Sequence, residues 1–322
     1  MSSKEVVPIE EISVSAELTE NGIKAGATSR ALAALDRLFG STIDLAGVPI
    51  EGLRDRMRAR NDNREELIRA AGRLAIERLG RDPEISTPLI EGQVSEAARK
   101  AENKEAIALE FLEELRSEPG EQQDKPDPID PDWLNMFSTH AENASSDHLR
   151  TLWARILAGQ VRSPGAFSLS TLRFVSELDK SIAELFQKHL GSIVFEQFLI
   201  KPKDLKGEEL IELTFLEEVG LLIEVNGMLG MEQANGSDGF KYIAQGNLLL
   251  RMRMASDKRI ELIKLTRVGR EIASILPKRS DEQVLLDIFE YVEESVVEAD
   301  INVITARLPG GSVNFSAMRK LK

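Results

Sequence analysis

Residues 216–223 read LEEVGLLI and residues 265–276 read LTRVGREIASIL, and the two together decide the fold class. In the first, a helix over Glu208–Val219 runs into Gly220, and Leu221–Val225 follows as a strand. Glycine ends a helix readily because it takes the left-handed conformation of a C-terminal cap. In the second, Thr266 is a helix N-cap, and Val268, Ile272, Ile275 and Leu276 form an apolar face that stops at Pro277. Between them lie the turn dipeptides Asn235-Gly236 and Asp238-Gly239. Beyond Leu250, Arg251-Met252-Arg253-Met254 alternates basic and apolar residues, which predicts a half-buried strand with Ile260–Leu265 as its partner. Asp179 caps the helix upstream, which carries Ile182, Leu185, Phe186 and Leu190. Helix, helix, glycine stop, β-ribbon and Thr-capped helix follow one another in the order of a winged-helix module, over residues 179–279.

Outward from that module the pattern is helical. Leu149, Leu152, Trp153, Ile156 and Leu157 fall at helical spacing behind Ser145 or Ser146 as cap, and Pro131 suits the first position of a helix capped by Asp130. With Leu169, Leu172, Val175 and Leu178 these predict a bundle over 133–178. Ser117–Asp132 reads SEPGEQQDKPDPIDPD; its four prolines and run of acids predict an acidic linker, with the domain boundary there. Before it, residues 28–116 form a helical N-terminal region, with helices from Thr28 to Phe39, Glu51 to Leu79 and Leu89 to Arg116. Residues 1–27 read as a mobile arm. After the module, Ser280 and Gln283 make a capping box, and residues 280–322 hold a last helix, a strand over Ile301–Leu308 and a turn at Pro309-Gly310-Gly311.

Composition narrows the chemistry. The 322 residues carry 41 Lys plus Arg against 54 Asp plus Glu, a net charge of -13. The absence of cysteine excludes disulfides, thiolate metal sites and cysteine nucleophiles. No apolar run reaches the roughly 18 residues of a membrane span, and Met1–Glu10 is too polar for a secretory signal. The expected location is the cytoplasm. His140 and His148 stand eight residues apart without a metal-site frame, and His189 closes a helix as its C-terminal cap. Trp133 and Trp153 sit on apolar faces as core residues. Residues 309–312 lack the lysine and following helix of a phosphate loop, and no serine occupies a nucleophile elbow. No catalytic residue, cofactor or metal site is therefore expected.

Two basic features remain. Residues 241–279 hold ten lysines and arginines against Asp257, Glu261 and Glu271. Arg251, Arg253, Lys258 and Arg259 are the candidates for contact with nucleic-acid phosphates; the bland alternative is a solvated ribbon facing the acidic N-terminal half. The helix in the groove-reading position, Glu208–Val219, carries five glutamates and no lysine or arginine, so phosphates would be repelled from it. Arg54, Arg56, Arg58, Arg60, Arg64, Arg69, Arg73 and Arg78 form the second feature, a surface for the net -10 segment at 82–132 or, as the lesser reading, for anionic lipid or nucleic acid.

The stretches HLRTLWARILAGQVRSPGAFSLSTL (148–172), LTRVGREIASIL (265–276) and LFGSTIDLAGVPIEGLRDRMRAR (38–60) resemble an uncharacterised bacterial family, domain of unknown function 2806, over Arg30–Leu276. LWARILAG alone is also similar to abortive-infection alpha-like phage-defence proteins. Neither resemblance supplies a site residue. The expectation is a mainly α protein: a helical N-terminal region plus a C-terminal helical bundle fused to a winged-helix-like module with a small β-ribbon. Its expected role is non-enzymatic, binding a protein partner or itself in a regulatory or defence setting. The alternatives are nucleic-acid binding through the wing and an enzyme with an unrecognised carboxylate site.

Overall fold

The apolar stripe around Trp153 builds the centre of the first unit. In a computed structural model the chain divides into two compact units, Met1–Glu177 and Leu178–Lys322. The described residues are 25–39, 66–77, 83–117, 128–231, 234–235, 238–256, 258–277, 279–307 and 313–322.

The first unit is helical: α1 (Ala25–Phe39), a helical stretch over 66–77, α2 (Pro83–Ser117), α3 (Pro131–Ala141), α4 (Asp147–Arg162) and α5 (Leu169–Ser176). Ser146 Oγ accepts from Leu149 N at 3.3 Å, and Asp130 Oδ1 accepts from Asp132 N at 2.9 Å, so both expected caps form. Leu152, Trp153, Ile156 and Leu157 of α4 are buried together with Ile107, Phe111, Leu112 and Leu115 of α2. Helices from both sides of 117–132 thus share one unit, and the boundary falls at Glu177/Leu178 rather than in the acidic stretch. Ile129 is itself buried; it anchors the chain ahead of α3, while 118–127 lie outside the described residues. The arm over 1–24, and Arg54 through Arg64, also lie outside them. Helix α1 begins three residues before Thr28 and α2 six before Leu89.

The second unit mixes helices and sheets. Its elements are α6 (Lys180–His189), β1 (Ile193–Val194), β2 (Phe198–Ile200), α7 (Gly207–Glu218), β3 (Leu222–Ile223), β4 (Gly230–Met231), β5 (Ala234–Asn235), β6 (Lys241–Gln245), β7 (Leu248–Met254), β8 (Ile260–Leu265), α8 (Arg267–Ala273), α9 (Asp281–Val292), β9 (Val296–Arg307) and β10 (Val313–Lys320). All strand pairs are antiparallel. One sheet runs β1-β2-β8-β3 with β4 also on β8; the other runs β10-β9-β7-β6-β5.

Strand β7 therefore pairs with β6 and β9, not with β8 as its alternation suggested, because β8 is taken up by β2, β3 and β4. The C-terminal strand starts at Val296, five residues earlier than expected, and β10 is an additional strand. Helix α9 buries Leu285, Ile288 and Val292 against Leu250, Met252, Ile260 and Ile301, joining both sheets in one core. Ser280 Oγ accepts from Gln283 N at 3.2 Å, but the Gln283 side chain turns to Asp287, so only half of the capping box is made. Asp179 stands at the N-cap of α6 without a side-chain hydrogen bond to the helix. Mainly α holds among the described residues. Among the described residues no helix is long and apolar enough to cross a membrane.

Candidate functional site

The two sequence stretches that open the chain's reading meet in space. Leu222 pairs with Leu265 across β3 and β8. Thr266 N donates to Leu221 O at 3.0 Å, Thr266 Oγ1 donates to Gly220 O at 2.7 Å, and the same hydroxyl accepts from Gly269 N at 2.9 Å. One threonine thus starts α8 and fastens it to the end of α7. A Cβ on Gly269 would collide with the Leu221 carbonyl oxygen, so only glycine permits this approach. Gly220 itself has φ 85°, the left-handed turn that releases the chain from α7.

Helix α7 is positioned by this joint and by two of its own glutamates. Glu217 Oε1 accepts from Glu224 N at 2.5 Å and Val225 N at 3.3 Å, holding Glu224 at a left-handed φ of 62°. Glu212 accepts from Lys188 Nζ at 2.6 Å, and its Oε2 lies 2.9 Å from His189 Nε2. Hydrogen bonds from Lys188 and then His189 hold the Glu212 carboxyl below its ordinary range. His189 therefore closes α6 as expected, but works by bridging to α7. Leu213 and Leu216 point into the core. What α7 leaves outside is Glu208, Ile211, Phe215 and Glu218 on one stripe, at i, i+3, i+7 and i+10, with Glu209 beside it. Ile211 is 70% exposed and Phe215 41%. Ile223 on β3 and Met228 in the following turn are exposed as well.

The basic candidates are occupied differently. Arg251 lies opposite Asp300 in the β7–β9 register, donating from Nε at 3.0 Å and from Nη2 at 2.7 Å to Asp300 Oδ2. Arg253 lies opposite Glu298, at 3.8 Å, and Lys258 reaches Glu294 at 3.6 Å. Both guanidinium carbons stand 4.4 Å from the centre of the Phe240 ring, a cation–π arrangement that further fixes them. Arg259 is exposed, its stem laid against Gly230 of β4. The structure thus gathers Arg251 and Arg253 of β7 on one ring and leaves Lys258 and Arg259 in the connection between β7 and β8. Sequence reasoning missed the acids that face them. The signal was present in part: Glu298 and Asp300 share one parity along the chain that becomes β9, whereas Glu294 lies in the turn before it.

The remaining sequence candidates are structural. His140 stacks on Trp153 with ring centres 6.1 Å apart, and His148 is exposed. Among the described residues no three histidine or carboxylate side chains converge as metal ligands. Arg69 and Arg73 are exposed on the 66–77 helix.

A family described as Protein of unknown function (DUF2806) matches residues 91–197, about a third of the chain. The match runs from within α2 to the turn after β1 and is narrower than Arg30–Leu276; it includes neither α7 nor strands β7 and β8. No curated protein and no solved structure matches the chain.

Proposed function

We propose that this chain is a non-enzymatic interaction protein whose second unit is a winged-helix-like module docking a protein partner through α7. The observation that carries the reading is the exposed pair Ile211 and Phe215 on a helix with five glutamates and no cation. In a DNA-reading module that position would present cations to phosphates; here it presents apolar surface rimmed by acid. The order β2-β8-β3, with α6 before it and α7 between β2 and β3, supports the module, and β4–β7 enter where a wing would lie. A defence setting belongs to the same reading and rests on the resemblance of the LWARILAG segment, which lies within α4; a cytoplasmic location goes with it and rests on the polar start and the lack of an apolar span in the sequence. The second reading, a weak phosphate contact through the ribbon, keeps Arg253 and Arg259 as its exposed cations.

A photo-crosslinking residue in place of Ile211, in cells that make the protein, tests the two. Protein adducts that form from position 211, are absent from Glu290 on α9, and vanish with Phe215→Arg support protein docking. Nuclease-sensitive adducts from position 253, with none from 211, would replace it by the phosphate reading.

A further inference from the structure

We infer that the stripe Glu208–Ile211–Phe215–Glu218 receives a cationic amphipathic helix of a partner protein, with two apolar side chains one turn apart over Ile211 and Phe215 and a lysine or arginine at each end. The inference rests on the protein-docking reading of α7 and adds the chemistry of the partner.

The five glutamates of α7 divide into two groups. Glu212 and Glu217 are spent on the fold, one on Lys188 and His189, the other on the backbone of the turn after β3. Glu208, Glu209 and Glu218 are exposed and, among the described residues, hold no salt-bridge partner. Two of these three close the apolar pair at both ends of a single line, which spans about 15 Å at the helical rise of ~1.5 Å per residue. That is the length of about three turns of a facing helix, whose own apolar positions recur at i and i+4. A solvating face would be charged throughout, whereas this one places its largest exposed side chains in the middle. An acidic rim around apolar anchors selects cations at the matching positions and rejects an acidic partner by like-charge contact. The occupant is a helix because apolar side chains at i and i+4 of a facing helix recur at the same one-turn spacing as Ile211 and Phe215 on α7. Rim charges affect encounter and salt dependence, and the buried apolar pair dominates affinity.

The test uses the full chain and two labelled designed helical peptides with the same leucine pattern, one with lysine and one with glutamate at the polar positions. Binding is read by fluorescence anisotropy at low and high salt. The lysine peptide binds, and the glutamate peptide does not. Phe215→Ser or Ile211→Ser weakens binding about tenfold or more, the mark of central anchors. Both side chains are exposed, so a matching thermal melt establishes that each variant is folded. Glu208→Lys with Glu218→Lys weakens it comparably, whereas Glu113→Lys with Glu290→Lys, exposed positions giving the same change of net charge, leaves it within about twofold.

Equal loss with the control pair would show long-range attraction to an acidic protein and overturn the inference. So would indifference to both serine variants, equal binding of the glutamate peptide, or no binding. A concentration-dependent dimer in sedimentation that Phe215→Ser abolishes would make the occupant a second copy and likewise overturn it. If the peptides fail while a crosslinker at position 211 still traps protein, the cationic assignment falls and protein docking stands; if both fail, the docking reading falls with it.

Discussion

Trp153 is 1% exposed, with the Phe137 ring edge-on at 5.3 Å and the His140 ring stacked on it at 6.1 Å. Two polar groups near it show how such a core closes without orphaned donors. Trp133 Nε1 donates to Phe167 O at 2.8 Å, and the buried Gln160 uses Oε1 to accept from Phe167 N at 3.0 Å. Gln160 thus interrupts the apolar stripe of α4 because the loop before α5 needs an acceptor inside. Gly159 lets the Phe167 ring lie directly on the helix, where a Cβ would strike it. Trp153→Ala removes the largest of these buried side chains and is expected to lower stability by about 3–5 kcal/mol, a large part of the ~5–15 kcal/mol typical of a domain. Denaturant unfolding followed by circular dichroism measures it, and a midpoint equal to that of the unaltered chain would refute the core role. Phe215→Ser provides the contrast: Phe215 is 41% exposed, so truncating it removes less buried surface than Trp153→Ala does, and a thermal melt separates its effect on the fold from its effect on binding.

At the scale of elements, the joint between α7, β3 and α8 concentrates most of the local constraint. Gly269→Ala is expected to destabilise the second unit by about 1–3 kcal/mol through overpacking against the Leu221 carbonyl. Gly220→Ala has open space around it and acts through its φ of 85° alone. Thermal melts of the two variants separate the causes: further enlargement, Gly269→Val, should worsen the first markedly, and a Gly269→Ala variant as stable as the parent would contradict the packing. The helices were legible in sequence because their information is local: Ser146, Thr266 and Ser280 all cap as their spacing indicated. Strand partners were not, because the alternation in 248–254 marks a strand without saying which distant segment pairs with it. β10 escaped notice for a different reason. All but one of its eight residues are exposed, so no face of it carries the apolar period that identifies a strand. The stripe on α7 was equally illegible: Ile211 and Phe215 read as ordinary apolar helix positions, and only the packing of Leu213 and Leu216 shows which side is buried.

At the scale of the molecule, charge segregation along the sequence suggested separate parts, and the acidic stretch at 117–132 looked like the seam. Composition reports whether a segment can build a core, not whether the helices flanking it pack on each other. Here they do. Asn103 of α2, 1% exposed, donates from Nδ2 to Glu142 O at 2.9 Å and accepts from Arg150 Nη2 at 2.8 Å. Lys100 and Lys104 of α2 reach the Glu142 carboxylate at 3.2 and 2.9 Å. Partial burial works to raise that carboxyl, but the hydrogen bonds from Lys104 and Lys100 outweigh it and leave it below its ordinary range. Ile107, Phe111 and Leu115 complete the contact with apolar burial. Cutting the backbone between α2 and α3 should therefore leave the first unit assembled. A specific protease site placed at residues 120–125 makes the test: after complete cleavage the two fragments are expected to co-elute in size exclusion and to separate only in denaturant. Adding Phe111→Ala, which should cost about 3–5 kcal/mol in such a core, should let them part in native buffer, because the connection no longer makes association intramolecular. Fragments of the otherwise unaltered chain that separate in native buffer would restore the acidic stretch as the true boundary and contradict the single helical unit.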